Sequence, residues 1–440
     1  MGRNQDTVGR ILVHVVSLGC PKNLVDTERM LGCLGEDFEA AQTPEEARVV
    51  LINTCGFIRP AVEESVQAIL EAAAAVKNLV PKPLLLVTGC LVERYGPELE
   101  AELPEVDLWL PISGQQEIGP LLARELRSKE SFRSGPRVLS TPPGTAYLKI
   151  AEGCDNRCRF CTIPALRGPL ASRPVEELRR EAAELLAKGV KEISLVAQDV
   201  TAYGRDLGLK QGLQQLLDAL LPLPGLTWLR LLYLYPAGLT RELLVFLKGC
   251  GPALLPYFDV PLQHAHPDIL SSMGRPFARD PVGVVERIRE YFPECALRTS
   301  LMVGYPGESE DHFAALLEFV RRARFHNLGV FTFHPEEGTP AAGLPGQVGQ
   351  RVKEQRHKAV MELQAEISAS ILEQEVGLVR RVLVDRSDPE WPTLYQGRTW
   401  FQAPEVDGVT YVSGEHIVPG QMVQARIESA ATYDLTALAE

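Results

Sequence analysis

Three thiols stand close together in Gly153-Cys154-Asp155-Asn156-Arg157-Cys158-Arg159-Phe160-Cys161, at spacing C-x3-C-x2-C, just after the strand-like run Tyr147-Leu148-Lys149-Ile150. A structural zinc site wants four protein ligands, often as two C-x2-C hooks. Here one compact loop supplies three, and no fourth Cys or His lies nearby in sequence. Thiolates also hold iron–sulfur clusters. A cube of four irons and four sulfides bound by only three of them keeps one iron open for a further ligand. A zinc knuckle, or three reduced surface thiols, are the competing readings, and the ligand count favours the cluster.

A second trio emerges from the pattern of the first 130 residues. Residues 11–16, 48–52 and 84–87 are short apolar runs rich in Val, Ile and Leu, with helix-like stretches between them, including an alanine-rich one at 61–76 and a pattern starting at Asp26. Continuous apolar strands alternating with helices predict a parallel sheet covered on both faces. Each run leads into a cysteine, Cys20, Cys55 and Cys90, at intervals of 35 residues. In a parallel sheet the carboxyl ends of the strands share one edge, where α/β folds place their ligands. The three thiols are therefore expected to converge, again without a fourth protein ligand. Buried cysteine acting as a small hydrophobe would explain one of them more easily than all three. Cys33, Cys250 and Cys295 show no such placement and read as structural.

The elements needed to carry the loop of Cys154, Cys158 and Cys161 follow in the next 200 residues. After the strand at 147–150 come strand-like runs at 192–196, 228–232, 257–260, 296–303 and 328–333, with helices such as 174–188 and 311–322 between them. About six β/α units suggest a partial barrel, which places chemistry at the carboxyl edge of its strands. A long polar helix at 347–375 leads into a tail of different character. Short alternating runs at 379–384, 409–412 and 422–427, separated by Asp407-Gly408 and Pro419-Gly420, predict a small antiparallel β-barrel of the OB-like kind. Residues 131–144 read as a linker. The fold class expected is α/β multidomain, with boundaries at residues 8–130, 141–372 and 375–440.

Composition bounds the rest. A chain of 440 residues, 45% apolar and 23% charged, has the make-up of a soluble globular protein of two or three domains. No apolar run is long enough for a membrane span, and the start, Met1-Gly2-Arg3-Asn4-Gln5-Asp6, carries no secretory h-region. Nine cysteines without such a signal suggest metal chemistry in a reducing cytoplasm rather than disulfides. The formal net charge of −12 makes a basic partner the easier expectation than nucleic acid. His264 and His266, in a Pro-flanked loop, read as surface residues rather than metal ligands. No Ser-His-Asp arrangement or phosphate loop appears.

The C-x3-C-x2-C loop with Phe160 before its third Cys resembles the motif of the radical S-adenosylmethionine superfamily, whose fold is a six-unit partial barrel. With all three parts in view, the chain resembles the methylthiotransferases of that superfamily along nearly its whole length. The resemblance implies an N-terminal domain with an auxiliary cluster on Cys20, Cys55 and Cys90, a central barrel with the radical cluster on Cys154, Cys158 and Cys161, and a C-terminal TRAM domain for substrate contact. It implies two 4Fe-4S clusters, S-adenosylmethionine, a sulfur donor (sulfide or persulfide) on the auxiliary cluster, and an electron donor such as flavodoxin or ferredoxin. Phe160 is expected beside the adenine. Gly304, in Met302-Val303-Gly304-Tyr305-Pro306-Gly307-Glu308, is expected where backbone approaches the adenosine, since Gly carries no side chain.

Two branches of the family compete. One modifies adenosine in transfer RNA (MiaB-like); the other, the RimO branch, modifies an aspartate β-carbon in the small-subunit ribosomal protein of the decoding centre. Ser17-Leu18-Gly19-Cys20-Pro21-Lys22-Asn23-Leu24-Val25-Asp26, Val196-Ala197-Gln198-Asp199-Val200-Thr201-Ala202-Tyr203-Gly204 and Ala403-Pro404-Glu405-Val406-Asp407-Gly408 look like the RimO branch. The RNA branch tends toward Asn at the position of Asp199. Residues 375–440 hold five arginines against ten carboxylates, a balance that suits a basic protein better than RNA phosphates. A non-catalytic iron–sulfur carrier would need neither the barrel nor the motif.

Overall fold

The computed structural model describes residues 10–35, 38–126, 135–391 and 393–440. The N-terminal stretch Met1–Asp6 and the first part of the expected linker, 131–134, lie outside these. Contacts divide the chain into two compact units, one comprising residues 1–140 with 165–167, the other 141–164 with 168–440.

The first unit is a five-stranded, all-parallel sheet. Its strands are β1 (Ile11–Ser17), β2 (Phe38–Ala40), β3 (Val49–Thr54), β4 (Leu84–Gly89) and β5 (Leu108–Leu110), in the order β2-β1-β3-β4-β5. Side chains alternate across a strand, and here both faces are covered. Val50, Ile52, Leu85 and Val87 pack into one core with Ile69 and Leu91. Val49, Leu51 and Leu86 pack into the other with Met30, Ile118 and Leu122. The helices are α1 (Pro21–Leu34), α2 (Arg59–Val76), α3 (Cys90–Glu102) and α4 (Ile118–Glu125). α1 begins at Pro21, five residues before the apolar periodicity suggested. Proline suits the first turn, where its missing N–H has no partner to lose. The first turns bury Lys22, Asn23, Asp26, Thr27 and Glu28, which hydrophobic patterning does not register. The three-residue edge strands β2 and β5 were likewise too short to carry a period.

The second unit holds a six-stranded parallel sheet in chain order: β6 (Thr145–Lys149), then, past a short hairpin of β7 (Ala151–Glu152) and β8 (Ala171–Ser172), β9 (Glu192–Val196), β10 (Trp228–Leu231), β11 (Leu254–Asp259), β12 (Ala296–Val303) and β13 (Asn327–Thr332). α5 (Ile163–Arg167) follows the cysteine loop and α6 (Val175–Ala187) makes the first crossover. This is the partial six-unit barrel. The long helix Gln350–Leu372 then leads to a closed barrel of β14 (Val379–Ser387), β15 (Leu394–Arg398), β16 (Thr410–Ser413), β17 (Met422–Ala430) and β18 (Leu435–Ala439). Two of its five strands, β15 and β18, had not been read from the sequence. The pairing is antiparallel except between β16 and β18.

A buried polar network seats this small barrel at the amino end of the six-stranded sheet. Glu192, the first residue of β9, accepts from Arg230 Nε at 2.7 Å and from Arg398 Nη1 at 2.6 Å, all three fully or nearly fully buried. Burial alone would raise the Glu192 carboxyl, but Arg398 and then Arg230 outweigh it and hold it low. The loop after β15 completes the seat: Tyr147 donates to Pro404 O at 3.0 Å, Tyr257 to Asp407 Oδ2 at 2.6 Å, and Arg298 to Asp407 Oδ1 at 2.7 Å. Removing one member of such a network leaves charge buried without compensation, a cost of about 3–5 kcal/mol. The network leaves the opposite, carboxyl end of the six strands to the cysteine loop.

Candidate functional site

In the first unit, strand register decides where the thiols go. Ser17 pairs with Asn53, and Thr54 with Gly89. The carboxyl ends of the adjacent strands β1, β3 and β4 are thus level, with Cys20, Cys55 and Cys90 just beyond them. Glycines let the three loops close up. A side chain at Gly19, which has φ +91°, would put its Cβ 2.9 Å from Cys55 Cβ, and one at Gly56 would sit 2.7 Å from the Cys90 carbonyl oxygen. Cys55 is further fixed by Ser65, whose hydroxyl accepts from the Cys55 N–H at 3.0 Å and donates to its carbonyl at 2.9 Å. Burial, then the neighbouring charges of Cys90 and Cys20, push the Cys55 thiol up to about 11.

Polar residues of α1 and α5 surround this trio. Asn23 donates to Leu18 O at 2.8 Å and Thr54 O at 3.1 Å, tying the β1 and β3 ends together. Arg167, at the end of α5 and part of the first unit, donates to Asp26 at 2.8 Å, to Asn23 Oδ1 at 2.9 Å and to Cys90 Sγ at 3.2 Å. Sequence reading missed Arg167. Asn23 and Asp26 had been noted only as letters of a family signature, and the structure shows what they hold.

In the second unit, Cys154, Cys158 and Cys161 share one loop. Gly153, with φ +68°, starts it; a Cβ there would lie 2.0 Å from Pro169 O. Backbone bonds from Cys154 N to Gly168 O at 3.1 Å, Arg159 N to Met273 O at 3.0 Å and Ala341 N to Arg159 O at 3.0 Å anchor it. Asp199, at the end of β9, accepts from Asn156 at 2.8 Å and from Thr201 at 2.6 Å. The carboxylate accepts from both side chains at once and so forms part of the loop's footing. Burial pushes Cys161 up to about 12, with Cys158 and Cys154 adding to it, and raises Cys154, with Asp199 and then Cys158 adding to that. Arg275, also unread in the sequence, donates to Cys158 Sγ at 3.2 Å, with its guanidinium 4.5 Å from the Tyr235 ring centroid and 5.1 Å from that of Phe277.

Phe160 is half-buried against a core of Leu270, Met273, Tyr305 and Phe333. Gly304 has φ +73°, and the place of its missing side chain is taken by Lys353, whose Cγ lies 2.2 Å from a built Cβ. The left-handed backbone and the neighbouring Lys353 side chain both favour glycine here, and its N–H donates to Glu308. His264 contradicts the surface reading, being fully buried with Nδ1 accepting from His266 N at 2.9 Å. His266, Asp268 and His312 bring ligand atoms within 4.8 Å of one another. His266 Nδ1, however, accepts from Asp268 N at 3.2 Å, which leaves the ring proton on Nε2 and no lone pair to offer a metal. All nine cysteines are free thiols; Cys295 is buried, Cys33 packs half-buried against the core, and Cys250 donates to Phe246 O at 3.4 Å.

The donor sets fit an iron–sulfur cube better than a single ion. Tetrahedral zinc draws sulfurs to within about 4 Å of each other. Among the described residues neither cysteine trio closes to 4.8 Å as the His266 group does, although the thiols of each trio act on one another electrostatically. Thiols held this far up are poor nucleophiles, yet they ionise on a metal. Each trio also has a guanidinium donor at sulfur, and Arg275 Nε is buried with no partner of its own.

Comparison with known proteins adds the family. Residues 12–111 match the family described as Uncharacterized protein family UPF0004, 148–320 the Radical SAM superfamily and 376–439 the TRAM domain. The chain is 58% identical over 430 residues to a protein of Nitratidesulfovibrio vulgaris named Ribosomal protein uS12 methylthiotransferase RimO, covering 98% of this chain and all of that one. A protein of the same name from Oleidesulfovibrio alaskensis is 56% identical, covering 97% and 100%. Among solved structures, the radical S-adenosylmethionine methyltransferase TsrM of Kitasatospora setae, with tryptophan and a SAM analogue bound, aligns with a TM-score of 0.54 over 73% of each chain at 15% identity, a likeness of fold.

Proposed function

This chain belongs to the RimO family of radical S-adenosylmethionine methylthiotransferases, and from that premise we propose that it inserts a methylthio group at the β-carbon of an aspartate in a basic protein of the small ribosomal subunit. The observation that carries the reading is the pair of three-cysteine sites, each at the carboxyl end of a parallel sheet. Cys154, Cys158 and Cys161 would hold one four-iron cluster, and Cys20, Cys55 and Cys90 a second that carries the sulfur, as sulfide or persulfide. With S-adenosylmethionine and an electron donor such as flavodoxin or ferredoxin, such clusters supply a carbon radical able to take hydrogen from an unactivated C–H bond, and a methylated sulfur to replace it.

The protein's own part is placement. The Gly153 turn, the Asp199–Asn156 bond and the Met273 and Ala341 backbone bonds fix the loop of Cys154, Cys158 and Cys161. Phe160 packs half-buried on the core beside the loop, and its exposed part would meet the adenine. Gly304 and Glu308 shape the turn after β12, where the nucleoside would lie. Residues 376–439 would meet the substrate. Their arginine Arg398 is buried with Asp385, and Asp407 is buried on Arg298, so what remains exposed is still acidic. That surface suits a basic protein more than RNA phosphates.

Mass spectrometry of ribosomal proteins and tRNA nucleosides, from a strain whose own enzyme is deleted and then complemented with this chain, tests the substrate. A methylthio mass gain on one small-subunit protein is expected. A gain on tRNA adenosine with ribosomal proteins unchanged would overturn the assignment.

A further inference from the structure

The guanidinium of Arg167 is a strong charge placed on the Cys20, Cys55 and Cys90 site by an element from elsewhere in the sequence. Its side chain is 2% exposed, and three side chains divide its donors: Nη1 to Asp26, Nη2 to Asn23 and Nε to Cys90 Sγ. The orientation is over-determined. Asn23 gives both amide hydrogens to the Leu18 and Thr54 carbonyls, so its oxygen must face Arg167. Asn53 donates in turn to the Asn23 carbonyl at 2.8 Å. The fork therefore sits on the strand-end loops that carry Cys20 and Cys55 while its Nε points at the third sulfur.

We propose that Arg167 is a positioning residue that orients the Cys90 sulfur and sets the reduction potential of the cluster held there, with Asp26 holding its charge in check. An N–H donor at a ligating sulfur draws negative charge from it and favours the reduced, more negative cluster. The neighbouring carboxylate works against that. The two residues therefore push the potential in opposite directions, although both belong to one buried ion pair. The inference rests on the reading that Cys20, Cys55 and Cys90 hold a cluster.

The experiment uses the full-length chain with Cys154, Cys158 and Cys161 replaced by Ala, reconstituted anaerobically with iron and sulfide. Its midpoint is read by an EPR-monitored titration with dithionite. Arg167→Gln should lower the midpoint and Asp26→Asn should raise it. Each change should be about tenfold in the reduction equilibrium, which is about 59 mV for one electron. Arg167→Lys, which keeps the charge but loses the fork, should fall between Arg167→Gln and the parent. Shifts of the same sign in Arg167→Gln and Asp26→Asn, or no shift in either, would overturn the proposal, since a merely structural pair would act alike from both sides. If Arg167→Gln sheds its iron, Asp26→Asn decides alone: a higher midpoint supports the proposal and an unchanged one overturns it. A parent that binds no iron would instead overturn the cluster reading, and that is seen by iron analysis before any titration.

Discussion

The two cysteine trios arrive at the same ligand count by opposite constructions. Cys154, Cys158 and Cys161 are neighbours in one loop, held by local turns and a few backbone bonds. Cys20, Cys55 and Cys90 stand at the ends of three strands, and only the register of β1, β3 and β4 makes them neighbours. The arginines differ in the same spirit. Arg167 is neutralised by Asp26, whereas Arg275 has no carboxylate partner among the described residues and lies against the rings of Tyr235 and Phe277. A ring face stabilises a cation without cancelling its charge. One site is therefore electrically compensated and built by the fold; the other is built by the loop and keeps a net positive neighbour.

Breaking each trio should give different losses, and these are the largest effects expected. Cys158→Ala should abolish reductive cleavage of S-adenosylmethionine, read as 5′-deoxyadenosine released under anaerobic conditions. Cys55→Ala should leave that cleavage and stop sulfur insertion; full product from Cys55→Ala would refute the division of labour. Next in size is Gly56→Ala. Its Cβ would meet the Cys90 carbonyl at 2.7 Å, so the loops must move apart at a cost of about 1–3 kcal/mol. Iron bound by Cys20, Cys55 and Cys90 should fall while cleavage persists, a selectivity that chromatography of the two products reads directly.

Alkaline pH probes both trios more gently. Burial holds Cys55 up to about 11 and Cys161 up to about 12, above the ordinary thiol value of 9.0. Folded pKa values raised in this way contribute stability that is fully present below about pH 9 and is lost as pH rises through 11 and 12. The denaturation midpoint of the iron-free protein should thus fall across that window. Cys55→Ser and Cys161→Ser should each flatten the fall, and unchanged slopes in both would contradict the burial argument. The last effect expected is at Arg275. Arg275→Gln should lower the midpoint potential of the Cys154, Cys158 and Cys161 site, measured with the other trio replaced by Ala, by more than Arg167→Gln lowers that of the Cys20, Cys55 and Cys90 site; an equal or smaller fall would remove the asymmetry claimed for the two arginines.

Much of this was legible in the residues because it depended on local order. The C-x3-C-x2-C loop is contiguous, and the apolar runs leading to Cys20, Cys55 and Cys90 are long enough to read as buried parallel strands. The partial barrel followed from six such runs in a row. What stayed hidden was polar and non-local. Asn23 and Asp26 lie in the first turns of α1, where buried polar side chains break the apolar period. Arg167 lies 77 residues from the cysteine it touches and Arg275 lies 117 from its own, separations that no spacing rule reaches. The Ala403–Gly408 segment reads as part of the RimO-branch pattern, and within it Pro404 and Asp407 seat the small barrel on Tyr147, Tyr257 and Arg298. His264 looked exposed because its loop is rich in proline and polar residues; the fold buries it completely.

The central claim is that each trio holds its own four-iron cluster, and metal analysis tests it most directly. Iron and acid-labile sulfide should be measured on the anaerobically reconstituted chain beside two variants, one with Cys20, Cys55 and Cys90 replaced by Ala and one with Cys154, Cys158 and Cys161 replaced. About eight irons and eight sulfides are expected in the parent, and about four of each in either variant. A parent with about four irons, all of them lost with a single trio, would contradict it.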